Sequence, residues 1–156
     1  ILADKDVDTF WRKLDPPGRY APNEWHAVLA YGTNRYMKQC GLLAEGESAV
    51  SWGENRSLAE IQLTLTQGGA AVLSGVFTAE GKKTIGHVVA CVGYKADEDG
   101  NITHFILDDS WGDYRTEYTN QNGNDVEMPL ADFKALIRHC NMDFKMAHLV
   151  RKAGAK

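Results

Sequence analysis

The stretch from Gly86 to Gly112 gathers the residue types that acyl-transfer chemistry uses: GHVVACVGY, a polar turn, then ITHFILDDSWG. His87 opens an otherwise apolar run directly after a glycine, whose missing Cβ lets another segment approach the backbone closely. The neighbouring run ends in two carboxylates, Asp108 and Asp109. A compact turn between the runs sets the end of one beside the start of the other, so an imidazole and a carboxylate meet at the rim of a sheet. A carboxylate that accepts a hydrogen bond from one ring nitrogen fixes the tautomer and leaves the second nitrogen as a general base. That is two-thirds of a nucleophile–His–Asp triad. On pattern alone, a strand-end histidine followed by turn aspartates fits the same residues.

The other candidates carry less. Cys91 lies four residues after His87 on the same run, ~13 Å away at strand rise, which is too far for proton transfer. Cys140 reads as a packing residue at the end of the last helix. His139-Cys140 with His148 lacks the paired spacing of zinc ligands, so neither a metal site nor a cofactor is expected. Glu24 and Asp97-Glu98-Asp99 could draw a cation but read as hydrated acids. Gly81-Lys82-Lys83-Thr84 lacks the glycine spacing and following helix of a phosphate loop. His104 alternates with Phe105 and faces solvent, and His26 falls on the polar side of its helix. Trp111, beside Asp109, is either a shield for the His–Asp pair or ordinary core.

Helices come first along the chain. Phe10, Trp11 and Leu14 lie at helical spacing over Asp8–Leu14, and Asp15-Pro16-Pro17-Gly18 stops that helix because proline disfavours helix in the residue before it. Pro22-Asn23 opens a second helix carrying Trp25, Val28, Leu29 and Tyr36, weakened by Gly32 and ended near Gly41. Ser57 and Glu60 form a capping box for a third, with Leu58, Ile61, Leu63 and Leu65 as its apolar side and Gly68-Gly69 as its close.

Strands follow. Ala70–Phe77, His87–Tyr94 and Ile102–Asp108 read as buried strands, the last two joined as an antiparallel hairpin through Asp97-Glu98-Asp99-Gly100-Asn101. Asn120–Asp125 is a further turn. Pro129 starts a last helix with Leu130, Phe133, Leu136 and Ile137 on one side, and Met142–Val150 supplies a closing strand. The layout is α+β, with N-terminal helices packed on an antiparallel β-sheet.

The chain of 156 residues suits one domain, spanning 1–156. A net charge of −4 gives no electrostatic reason for nucleic-acid binding, and the basic Arg151–Lys156 stretch reads as a solvated tail. No apolar run reaches the roughly 20 residues of a membrane span. Three cysteines at irregular spacing do not make a disulfide framework. The sequence starts at Ile1 without a signal region, which suggests a fragment or a processed product.

Gly86-His87-Val88-Val89 through Val92-Gly93-Tyr94, then Asp109-Ser110-Trp111-Gly112, resemble the C39-like branch of the papain-like cysteine peptidases. That family has a Gly-His strand and a hairpin partner ending Asp-Pro-x-Gly; Ser110 stands where the proline is usual. Leu58–Gly68 with the following strand fits as well, and so do Tyr118–Asn124 and the Phe133 helix, so the resemblance covers roughly 55–140. It implies a papain-like fold and a Cys-His-Asp triad in which His87 is the base and Asp109 its orienting partner, with Asp108 as fallback. It also implies a nucleophilic Cys at the start of an N-terminal helix, preceded by an oxyanion-hole Gln. Cys40, adjacent to Gln39, fits poorly, because neighbouring side chains diverge and Cys40-Gly41 falls at a helix end as a semi-buried thiol. The expectation is therefore a C39-like domain lacking its first helix, with the nucleophile on polypeptide preceding Ile1.

The implied activity is hydrolysis of a peptide or amide bond, in a protein or a peptidoglycan cross-link. The alternative is a non-catalytic C39-like binding or structural module of a larger phage or bacterial assembly. The expected location is soluble: virion-associated, cytoplasmic or delivered to the bacterial periplasm. Expected partners are a peptide or peptidoglycan substrate and the preceding part of the same polypeptide.

Overall fold

The computed structural model describes residues 25–53, 56–77, 85–138 and 147–150. The helix expected at Asp8–Leu14, the Gly81–Thr84 loop and the His139-Cys140 pair lie outside them. Helix α1 (Trp25–Gln39) runs through Gly32 without a break. It ends in a Schellman turn: the N–H of Leu42 reaches the carbonyl of Met37 and that of Gly41 the carbonyl of Lys38, with Gly41 at φ +72°. Asn34 docks the helix on strand β1 (Val50–Gly53). Its Oδ1 accepts from the Ala49 and Val50 N–H groups, each at 2.8 Å, and its Nδ2 donates to the Val50 carbonyl at 2.7 Å.

The capping box forms at α2 (Leu58–Thr66), where Ser57 Oγ accepts from the Glu60 N–H at 3.2 Å and Glu60 Oε2 accepts from the Ser57 N–H at 2.7 Å. Such a cap is worth about 1 kcal/mol. The buried face of this helix differs from expectation. Ile61, Thr64 and Leu65 point inward while Leu63 is 58% exposed. Leu63 sits two residues from both Ile61 and Leu65, about 200° round the helix from either, so it must face away.

Strands β2 (Ala70–Phe77), β3 (Ile85–Ala96), β4 (Ile102–Asp108), β5 (Val126–Pro129) and β6 (Ala147–Val150) complete an antiparallel sheet of order β1-β6-β2-β3-β4-β5. The β3–β4 hairpin is tied by Asp97, whose Oδ1 accepts from the Asn101 N–H at 2.8 Å and whose carboxyl is lowered chiefly by that bond. Alternation puts Ala71, Leu73 and Phe77, then Val89 and Cys91, then Phe105 and Leu107, then Met128 on one face. That face is covered by α2 and by α3 (Leu130–Arg138), whose Phe133 ring meets Phe105 at 4.1 Å. Burying aromatic and aliphatic side chains there stabilises the sheet by about 1.5–3 kcal/mol each. The opposite face leaves Val88 and Val92 exposed.

The class is α+β, as expected. Val50–Gly53 forms a strand that the sequence reading lacks, and the closing strand, described over Ala147–Val150, inserts between β1 and β2.

Candidate active site

The β2–β3 register places Gly75 opposite His87, so no side chain on β2 crowds the imidazole from directly across the ladder. Even spacing sets His87 on the same inward face as Val89 and Cys91, and the residue is buried. The β3–β4 ladder pairs Ala90 with Asp108, and the chain leaves the sheet at the next residue, Asp109. The Asp109 N–H donates to the Gly123 carbonyl at 2.9 Å, and Gly123 has no room for a Cβ against the Asp109 carbonyl. The backbone that carries the carboxylate is therefore held from both sides.

His87 Nε2 and Asp109 Oδ1 are 2.6 Å apart, with the two side chains 7% and 4% exposed. The carboxylate can only accept, so Nε2 carries the proton and donates it. Nδ1 makes no hydrogen bond among the described residues. Asp109 Oδ1 also accepts from the Trp111 N–H at 2.8 Å, and the Tyr118 hydroxyl donates to Oδ2 at 3.3 Å.

Aromatic rings enclose the pair. Trp111 stacks on His87 with centroids 3.7 Å apart and planes 15° from parallel, while Phe77 meets the imidazole edge-on at 5.6 Å. Tyr118 in turn packs edge-on against Trp111 at 5.6 Å. Burial and the charge on Asp109 push the Tyr118 phenol up, so it stays a donor. Trp111 thus covers the imidazole face while its backbone helps hold the carboxylate.

Asp108 does not share this site: its Oδ1 accepts from the Asp125 N–H at 3.0 Å and serves the turn before β5. Cys91 is fully buried, donates to the Gly93 carbonyl at 3.7 Å, and its thiol is pushed up to about 12 by desolvation. Cys40 is exposed, not semi-buried, at the C-cap of α1 and raises the Tyr36 phenol through a side-chain hydrogen bond. Neither thiol meets His87. His104 is partly exposed and contacts Thr103; His148 lies on β6, opposite Trp52 and Val72. Among the described residues no three His, Cys, Asp or Glu side chains gather to hold a metal ion. No described helix is long and apolar enough to cross a membrane.

A family model described as "Peptidase C39 like family" matches residues 12–134, well over half the chain. The chain belongs to the C39-like peptidase family. The match reaches further towards the N-terminus than the 55–140 resemblance and includes α1. As a member of a cysteine-peptidase-type family, the C39-like chain places its Gly-His strand and Asp-Ser-Trp-Gly turn at one buried contact. No curated protein and no solved structure matches it.

Phe77 and Tyr118 were not anticipated at this site. Phe77 was legible in principle, since it lies two residues beyond Gly75, the partner of His87, on the same face. Tyr118 was not. It reaches Asp109 only because Glu117 and Tyr118 both adopt left-handed backbone, at φ +53° and +65°.

Proposed function

We propose that His87 and Asp109 are the base and its orienting partner in cysteine-peptidase-type hydrolysis of a peptide or amide bond, by a Cys-His-Asp triad. The 2.6 Å contact between buried side chains carries this reading, because it directs Nδ1 away from the carboxylate as an available base. Nδ1 takes the proton from a thiol, and the thiolate adds to the carbonyl carbon. The imidazolium then protonates the departing amine, and a water activated by the same nitrogen releases the acid. The thiol is neither Cys40 nor Cys91; it comes from outside the described residues, and polypeptide preceding Ile1 is the proposed source. The peptide of a peptidoglycan cross-link or a protein is the proposed substrate.

The test incubates the full encoded polypeptide with peptide amides and peptidoglycan fragments and reads new amino groups by mass spectrometry. Hydrolysis abolished by His87→Ala, together with one thiol that iodoacetamide labels far faster than the rest, supports the proposal. No turnover and uniformly slow labelling overturn it.

A second reading, a non-catalytic binding or structural module of a larger phage or bacterial assembly, is favoured by one observation. The family match spans Cys40 and Cys91 alone among cysteines, and α1 opens on Trp25-His26-Ala27 without a thiol. Under this reading the His–Asp contact persists as a buried structural pair.

A further inference from the structure

We propose that Tyr118 is a positioning residue for Asp109, and through it for the His87 imidazole; its catalytic meaning rests on the function proposed above. The Asp109 carboxylate meets three donors on two oxygens. The His87 Nε2–H and the Trp111 N–H share Oδ1, and among the described residues the Tyr118 hydroxyl alone tethers Oδ2. The two bonds at Oδ1 hold that oxygen, and the Tyr118 bond holds the other, so the plane of the carboxylate is fixed at both of its oxygens. At 3.3 Å the Tyr118 bond is the longest of the three, as suits a tether more than the main charge partner.

The backbone supports the assignment. Glu117 and Tyr118 are consecutive non-glycine residues with positive φ, a conformation L-residues adopt at an energetic cost and keep only where the surroundings enforce it. Here the enforcing contacts are the Tyr118 N–H to the Asp113 carbonyl at 3.2 Å and the Asp113 N–H to the Asn120 carbonyl at 2.9 Å. Asp113, held by Arg115 through two side-chain bonds, anchors the start of that turn. The outcome of the strained turn is a phenol buried beneath Asp109, edge-on to the indole that covers His87. The ionisable side chains hydrogen-bonded to the carboxylate among the described residues are His87 and Tyr118, and Tyr114 lies close enough to Tyr118 to act on its phenol.

The experiment reads the imidazole itself and needs no turnover. Nitrogen-15 NMR of the intact chain reports which His87 nitrogen carries the proton and how fast that proton exchanges with water. Tyr118→Phe keeps the ring and removes only the hydroxyl. The expected result is about tenfold faster exchange of the Nε2 proton and a mixture of tautomers, with urea unfolding still cooperative at a lowered midpoint, as loss of one bond to a buried carboxylate requires. Unchanged exchange and a single tautomer in Tyr118→Phe overturn the positioning role. As a control, Asp109→Asn must itself speed that exchange, because a neutral amide oxygen holds the Nε2 proton less firmly than a carboxylate does. A failed control strikes the His87–Asp109 reading and not Tyr118 alone. Should Tyr118→Phe not fold, the wild-type chain still decides. A protected Tyr118 hydroxyl proton close to the Asp109 methylene supports the tether, and a freely exchanging hydroxyl overturns it.

Discussion

Trp111 lies flat on His87, ring centroids 3.7 Å apart, and its own N–H holds the carboxylate that the imidazole contacts. One residue therefore sets both the cover and the geometry of the pair. Trp111→Ala keeps the backbone bond but removes the stack, leaving a void beside a buried imidazole. The expected cost is about 2–4 kcal/mol in urea unfolding, with Trp111→Phe recovering most of it. In a chain competent for the proposed hydrolysis, Trp111→Ala also lowers the rate because water reaches the His–Asp bond.

Asp109 separates charge from shape. In Asp109→Asn the amide oxygen can stay towards His87 and Trp111, while the amide nitrogen donates to a Tyr118 hydroxyl that turns round to accept. Folding stability should fall by about 1 kcal/mol or less. The proposed hydrolysis should fall on the order of a hundred- to ten-thousand-fold, because the imidazolium loses its countercharge. Asp109→Ala strands three donors in a buried site and should cost about 3 kcal/mol or more by chemical denaturation.

Cys91 makes alkaline pH destabilising. Its thiol is held up to about 12 in the fold by desolvation, while the unfolded chain ionises it near the usual thiol value of 9.0. Between those values the folded state holds a proton that the unfolded state has lost, so stability declines as pH rises through that window. The slope reaches about 1.4 kcal/mol per pH unit. Cys91→Ala should flatten this part of a stability–pH curve measured by denaturant melts.

Gly123 is a steric requirement of the site. Any Cβ there collides with the Asp109 carbonyl and crowds that of Gly112. Gly123→Ala should push the Asp109 turn off its place, costing about 1–3 kcal/mol and broadening the His87 ring resonances in NMR spectra.

Much of this was legible in the sequence because its signals are local. The capping box of α2 needs only residues three apart, and the Asp97–Asn101 turn announces the β3–β4 hairpin. The proximity of His87 to Asp109 followed from hairpin geometry, since both lie near the same end of neighbouring strands. What escaped depends on distant partners or on backbone conformation. Val50–Gly53 is too short for alternation to reveal, and it becomes a strand only through β6. Leu63 is apolar by type, but its angular position on the helix turns it to solvent. Tyr118 needed two positive-φ residues of ordinary type, and no side-chain pattern marks them.

The insertion of β6 sets the order in which the molecule can be assembled. Strand β1 has hydrogen bonds to β6 and none to β2 in the sheet, so α1 and β1, made early, have no ladder to join until Ala147–Val150 emerges from the ribosome. The β2–β5 meander and the His87 corner can close beforehand. The last strand synthesised among the described elements is then the bolt that fastens the first, and a nascent chain stalled before it carries a finished corner and an unlatched N-terminal wing.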